Sequence, residues 1–266
     1  MGAERPLLLL HGFTGSSRNW EPLLPYLVTQ RQIIAVDLLG HGRSPSPPRA
    51  NRYSIELIAA DILDLLDQLA IEQADILGYS MGGRLALYLA TQAPQRVSAL
   101  ILESASPGLK SKDEQLTRRQ HDNALAERIE KEGLKAFVDY WESLPLWASQ
   151  AGLPAETRET LRQQRLQNDP VGLAYSLRGL GTGAQASQWG RLHRLPMPVL
   201  LLAGELDEKF VAINQEMAAL IPGAQLEIVP GAGHAIHLER PLLYGELIRN
   251  FLQNSARNDQ QSRPRR

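Results

Sequence analysis

The sequence predicts an α/β fold: a mostly parallel sheet flanked by helices, with a helical cap inserted after the fourth strand. Short apolar runs of strand length alternate with longer stretches of helical period, the order that builds parallel strands joined by crossover helices. One interval, 108–188, carries helical period only. A serine flanked by glycines, in Gly78-Tyr79-Ser80-Met81-Gly82, stands where an apolar strand turns into a helix.

Pro6 to Leu10 reads as a buried first strand and Ile33 to Asp37 as the second. Continuous apolar runs of this length fit strands covered on both faces. Ile55 to Leu69 follows, with Leu57, Ile58, Ile62, Leu65, Leu66 and Leu69 forming a helical stripe that faces a core. Ala74 to Tyr79 is the third strand and leads into the serine turn; the helix that starts after Ser80 continues through Leu85 to Thr91. Val97 to Glu103 is the fourth strand. The interval 108–188 is rich in Arg, Gln, Glu and Leu and holds two of the four tryptophans. It reads as a cap over the carboxyl edge of the sheet, the edge at which open α/β sheets bind ligands. Pro198 to Ala203 and Gln225 to Val229 supply the fifth and sixth strands, and Pro241 to Leu252 a closing amphipathic helix. The core is thus expected in 1–107 and 189–253. The polar segment 254–266, ending Arg263-Pro264-Arg265-Arg266, has too little apolar surface to bury and is expected to be a disordered basic tail.

Composition narrows the partners. The chain has 28 Lys and Arg against 29 Asp and Glu, without the basic excess that a nucleic-acid partner requires. It has no cysteine, which excludes disulfides and thiolate metal sites and points to a reducing compartment, the cytoplasm. The apolar run after Met1-Gly2-Ala3-Glu4-Arg5-Pro6 is shorter than a signal peptide needs, and no stretch nears the roughly 20 apolar residues of a membrane span. The expected partner is a small molecule, with no cofactor and no membrane insertion.

Three separated residues make a catalytic set. Ser80 lies in the strand-to-helix turn; Asp207, in Ala203-Gly204-Glu205-Leu206-Asp207, follows the fifth strand; His234, in Gly231-Ala232-Gly233-His234, follows the sixth. A serine hydroxyl is a poor nucleophile or base until an imidazole takes its proton, and a carboxylate fixes that imidazole's tautomer. The order Ser, Asp, His, each on a loop after a strand, is that of the nucleophile-elbow enzymes. Glu205 is the rival for the acid position. Backbone amides of Phe13, in the loop after the first strand, and of Met81, after the serine, are the candidate oxyanion donors. His11 and His41 are expected to shape loops. His234 and His237 lie three apart, but no further ligands of matching spacing support a metal site. Arg84 follows Ser80 by one helical turn. Its guanidinium either reaches the surface or offers a planar fork to a substrate carboxylate.

With these residues in hand the chain resembles the 2-succinyl-6-hydroxy-2,4-cyclohexadiene-1-carboxylate synthases, lyases of the α/β-hydrolase fold in menaquinone and phylloquinone biosynthesis. The resemblance runs from about Leu7 to Leu252. LHGFTGSSRNW (10–20), DLLGHGRS (37–44), LGYSMGGRLAL (77–87), LESASPGL (102–109), YWESLPLWASQ (140–150), GLGTGAQASQW (179–189), GELDEKF (204–210) and AGHAIHLERP (232–241) carry it. The HGF, elbow and GH segments are common to many α/β hydrolases; Arg84 after SMGG and the two cap segments are more specific.

The resemblance implies an elimination in place of a hydrolysis. Pyruvate leaves 2-succinyl-5-enolpyruvyl-6-hydroxy-3-cyclohexene-1-carboxylate, with the Ser80–His234–Asp207 set removing a ring proton and the Phe13 and Met81 amides stabilising an enolate oxygen. It needs neither a metal nor a cofactor. The substrate carries three carboxylates, so the resemblance also implies cationic ligands: Arg84, Arg118 and Arg165, with Arg119, Arg128 and Arg162 as near neighbours that compete for the assignment. Trp141, Tyr79 and Phe13 fall at pocket-wall positions. Members of the family carry some twenty or more residues before the HGF loop; ten precede His11 here, so a leading β-hairpin is expected to be absent or shortened, leaving a different edge strand. The rival readings are a serine hydrolase (carboxylesterase, thioesterase or carbon–carbon bond hydrolase) for a carboxylated substrate, and a non-catalytic binding protein on the same scaffold.

Overall fold

The computed structural model describes residues 5–27 and 31–262. Six strands, β1 (Leu7–Leu10), β2 (Ile33–Val36), β3 (Ala74–Tyr79), β4 (Val97–Glu103), β5 (Val199–Gly204) and β6 (Gln225–Val229), form one sheet in the order β2-β1-β3-β4-β5-β6. Every pairing is parallel. Helices α1 (Leu24–Leu27), α2 (Ile55–Gln68) and α3 (Met81–Gln92) fall among the first four strands; α4 (Lys112–Glu142), α5 (Ala155–Leu166) and α6 (Pro170–Leu180) lie between β4 and β5. Helices α7 (Glu208–Leu220), α8 (Ile236–Glu239) and α9 (Pro241–Ser262) complete the chain.

The central strands β1, β3, β4 and β5 are mostly apolar because both faces are covered, whereas the edge strand β6 is largely exposed. Alternate residues point to opposite faces. Leu8, Leu10, Ile76, Leu100 and Leu102 pack with α2 and α3 on one side. Leu7, Leu9, Leu77, Ala99 and Ile101 pack with Trp20, Tyr244, Ile248 and Phe251 on the other. Ser54 caps α2 by accepting from the Leu57 amide, which fixes where that helix starts.

Between β4 and β5 the helices have an apolar core of their own, built from Ala126, Ile129, Phe137, Val138, Leu173, Ala174 and Leu177. The long α4 opens on a capping box, Ser111 with Glu114. It is broken at Gly133, whose φ of 82° and ψ of 167° only glycine adopts without strain. These helices lie over the carboxyl ends of the strands, where Ser80, Asp207 and His234 emerge.

Two expectations meet the structure at the ends. Among the described residues no strand precedes β1, and the short β2 forms that edge of the sheet. The tail expected to be disordered from Asn254 is instead helical through Ser262, as a continuation of α9. Polar composition prevents burial but not helix growth: once the apolar face of α9 is packed, each further turn extends an existing helix and needs no new nucleus. Residues 263–266, with the terminal basic cluster, lie outside the described residues.

Candidate active site

β3 ends at Tyr79, and Ser80 makes the turn into α3 with φ 50° and ψ −107°, a strained backbone that lifts the hydroxyl off the sheet. Two glycines permit the turn. A Cβ on Gly78 would overlap the carbonyl of Gly82, and one on Gly82 would overlap that of Leu10. The elbow is tied to the next strand, Ser80 N–H donating to the Glu103 carbonyl at 2.9 Å.

The loops after β5 and β6 bring the rest. The Ser80 hydroxyl lies 3.0 Å from His234 Nε2, and His234 Nδ1 lies 2.6 Å from Asp207 Oδ2. Both His234 and Asp207 are buried. Glu205, the rival acid, turns away and accepts from the Gly231 amide at 2.8 Å, bracing the histidine loop. Glu239 braces it from the other side through the Gly233 amide at 2.7 Å and Ser149 Oγ at 3.0 Å.

The hydroxyl opens into a cavity of about 190 Å³ whose walls include Phe13, Tyr79, Met81, Arg84, Arg118 and Trp141. Phe13 and Met81, the two expected donor positions, both line this cavity. Met81 is the first residue of α3, so its amide has no acceptor within its own helix. Three ring systems surround His234: Tyr79 at 5.5 Å, Trp147 edge-on at 5.7 Å and Phe210 at 4.8 Å between centroids. Burial, with Glu103 next, holds the Tyr79 phenol well above its usual range, so it stays protonated and able to donate.

Arg84 is buried, and its Nη1 donates to the Gln185 side-chain oxygen at 2.8 Å. Burial and then the neighbouring Arg118 charge lower its pKa to about 10, against an opposing contribution from Asp122. It remains a cation at neutral pH. Arg118 stands on the same wall with Nε 2.8 Å from Asp122 Oδ1.

Arg165 does not line the Ser80 cavity itself but stands in an adjoining hollow that shares Phe13, Tyr79 and Trp147 with it. Its Nη1 pairs with Glu142 at 2.8 Å, and its guanidinium lies over the Trp147 ring at 5.5 Å, on the walls of two neighbouring hollows. Glu142 ends α4, and its carboxylate draws both Arg162, at 2.5 Å, and Arg165 of the facing α5. Arg162 also pairs with Asp139, and Arg128 pairs with Glu132 at 2.7 Å, while Arg119 is not on the cavity wall.

The loop histidines do what their positions imply. His11 donates Nδ1–H to Gly12 O at 2.8 Å and accepts from Leu38 N–H at 3.0 Å. Burial lowers its pKa to about 4, and burial together with His11 lowers that of His41 to about 3. His237 faces Glu103 and not His234: its Nδ1 lies 2.9 Å from both carboxylate oxygens, and Tyr244 OH donates to Oε2 at 2.7 Å.

Sequence reasoning did not single out Trp147, Phe210, Lys209 or Ser104, all on the cavity wall. Trp147 and Phe210 sit inside segments that carry the family resemblance, which is the signal available for them. Ser104 lies in such a segment too, LESASPGL; it follows β4 in the position beside Ser80, with φ 47°. The Ser104 hydroxyl and the Trp141 and Trp147 indole N–H groups are buried with no partner among the described residues. Buried polar groups are nearly always paired, and a polar ligand in the cavity is the missing partner such groups fit.

A family model described as alpha/beta hydrolase fold matches residues 5–241. A relative from Bacillus subtilis (strain 168), provisionally named 2-succinyl-6-hydroxy-2,4-cyclohexadiene-1-carboxylate synthase, is 46% identical over 250 residues, covering 94% of this chain and 91% of that one. The protein of the same name from Serratia proteamaculans (strain 568) is 33% identical over 254 residues, 95% of each chain. Among solved structures, MenH from S. aureus matches with a TM-score of 0.92 and 38% identity over 96% of each chain.

Proposed function

The chain belongs to the α/β-hydrolase family and, within it, to the 2-succinyl-6-hydroxy-2,4-cyclohexadiene-1-carboxylate synthases, and from that premise we propose how its own residues carry the reaction. The substrate is 2-succinyl-5-enolpyruvyl-6-hydroxy-3-cyclohexene-1-carboxylate, and the enzyme is a carbon–oxygen lyase that releases pyruvate from it. Going from the 3-ene to the 2,4-diene requires a 1,4-elimination. The C2–H bond breaks, its electrons form C2=C3, the C3=C4 pair becomes C4=C5, and the C5–O bond breaks. The leaving enolpyruvate takes up a proton and becomes pyruvate.

Ser80 is the base at C2, its own proton passing to His234 Nε2, and Asp207 supports the imidazolium that results. The succinyl ketone beside C2 gains negative charge as the proton leaves, and the amides of Phe13 and Met81, two residues lining the cavity, receive it. Arg84 and Arg118 hold carboxylates of the substrate, while Trp141, Tyr79 and Phe13 shape the wall around the ring. Arg165 takes this role only if it leaves Glu142. No bond to the serine forms, so neither an acyl-enzyme nor an attacking water is needed. A cysteine-free chain fits a cytoplasmic setting; among the described residues no helix is long and apolar enough to cross a membrane.

The observation that carries this reading over ester hydrolysis is the buried Arg84 held by a neutral amide beside a complete Ser80–His234–Asp207 relay. A cation so arranged is suited to an anionic substrate group and has no task in cleaving a simple ester. The test is pyruvate release from the enolpyruvyl substrate, followed alongside hydrolysis of a neutral aryl ester. Pyruvate release with slow ester turnover is expected; rapid ester turnover without pyruvate overturns the reading.

A further inference from the structure

We infer that Lys209 is a substrate-carboxylate ligand and helps determine specificity for a polyanion, an inference that rests on the elimination reading above. Three cations line the Ser80 cavity: Arg84, Arg118 and Lys209. Arg118 already has a carboxylate partner in Asp122. Arg84 is bound to the neutral Gln185. Lys209 makes no ion pair with any described carboxylate within 4.0 Å, although it directly follows Asp207-Glu208; its ammonium lies 5.6 Å from the Phe210 ring centroid. Arg84 and Lys209 are therefore the cavity cations that form no ion pair within 4.0 Å of a described carboxylate, although Asp122 acts on Arg84 from farther away.

Arg84 and Arg118 are close enough that one charge depresses the other's pKa, so they form a single cationic wall. Lys209 reaches the site through other neighbours: its ammonium lies near Phe210, and Phe210 packs on His234. A substrate with carboxylates on separate arms has more than one cation to meet in the cavity that holds Ser80. The arrangement also answers the displacement of Arg165, which Glu142 holds outside the cavity. The sequence resemblance implies three cationic ligands, and Lys209 is the third cation actually on the wall. Its position in the first turn of the 13-residue α7 adds to the favourable field for an anion there.

The test compares Lys209→Met and Lys209→Arg with the unmodified enzyme in steady-state pyruvate release, with melting temperatures measured for all. Lys131→Met, which removes a cation paired with Glu127 outside the cavity, controls for the change in net charge. Lys209→Met is expected to raise KM on the order of 10-fold or more, the effect of losing a charged hydrogen bond. kcat should change by less than about threefold, and the melting temperature should be unaltered, as befits an exposed side chain. Lys209→Arg should recover most of the KM, and Lys131→Met should leave it unchanged. A KM for Lys209→Met within about twofold of the unmodified enzyme overturns the inference, as does an equal rise with Lys131→Met or a fall in kcat alone. If the unmodified enzyme releases no pyruvate, it is the elimination reading that has failed; if it does and Lys209→Met matches it, only the role of Lys209 has.

Discussion

The guanidinium of Arg84 donates to the side-chain oxygen of Gln185 at 2.8 Å, so a buried cation one helical turn from Ser80 is held by a neutral partner and not by a carboxylate. An internal carboxylate would neutralise Arg84 and compete with an incoming anion. Gln185 orients the fork and leaves its charge available. Arg84→Ala should therefore raise KM on the order of 10- to 100-fold, the equivalent of about 1.5–3 kcal/mol for a charged hydrogen bond. Arg84→Lys should recover only part of it, since an ammonium lacks the planar fork. Steady-state pyruvate release checks this, and an unchanged KM in Arg84→Ala removes the residue from substrate binding.

The relay through Ser80, His234 and Asp207 predicts a different kinetic signature. Ser80→Ala and His234→Ala should lower kcat by roughly 10²- to 10⁴-fold, the usual size of a general-base contribution, with a smaller change in KM because neither group supplies the carboxylate contacts. Asp207→Asn should also lose kcat, since the amide no longer selects the tautomer that accepts from Ser80. Retention of most activity by Ser80→Ala would transfer the base role to another group.

Glu103 predicts an effect on stability. Its carboxylate is fully buried and receives His237 and Tyr244, while its backbone carbonyl holds the Ser80 amide. Glu103→Ala strands the His237 ring and the Tyr244 hydroxyl in the core, a loss of about 3–5 kcal/mol when one partner of a buried pair is removed. At roughly 2–4 °C per kcal/mol for a chain of this size, the melting temperature should fall on the order of 10 °C. Calorimetry decides it, and a shift below a few degrees would show that the cluster relaxes without cost.

His11 and His41 set an acid limit. Both are neutral in the fold, with pKa values lowered to about 4 and about 3. Below the ordinary histidine value of about 6.5 the unfolded chain binds protons that the folded chain refuses. Stability is therefore unaffected by these rings above that pH and is lost as pH falls towards 4 and 3. Each ring accounts for about 2 kcal/mol by pH 5. The drop in melting temperature between pH 7 and pH 5 should be smaller in His41→Phe than in the unmodified protein; an equal drop would exclude His41 as a source of acid sensitivity.

Much of this was legible along the chain. The central strands announce themselves because the parts of a parallel sheet covered on both faces leave little polar alternation to confuse the reading. The triad was legible because its members follow strands in a fixed order, and the elbow because only glycines fit at positions 78 and 82. Less visible were relations between segments far apart in the chain. The pairing of Arg84 with Gln185 spans 101 residues, and the Gly231 amide that holds the rival Glu205 away from His234 is 26 residues distant.

The sequence by itself determined the layered α/β architecture and pointed to Ser80 and its relay, because each is written in local period, turn chemistry or residue order; the expectation of cationic ligands came from the family resemblance. Only the tertiary structure decided which cations face the cavity. A helix with many arginines presents several faces, and the direction each side chain takes follows from the carboxylates it meets: Glu142 draws Arg165 away, Asp122 steadies Arg118 at the wall, and no described carboxylate pairs with Lys209. The helical continuation past Asn254 was settled in the same way, by the packing of α9 that precedes it and not by the polar residues themselves.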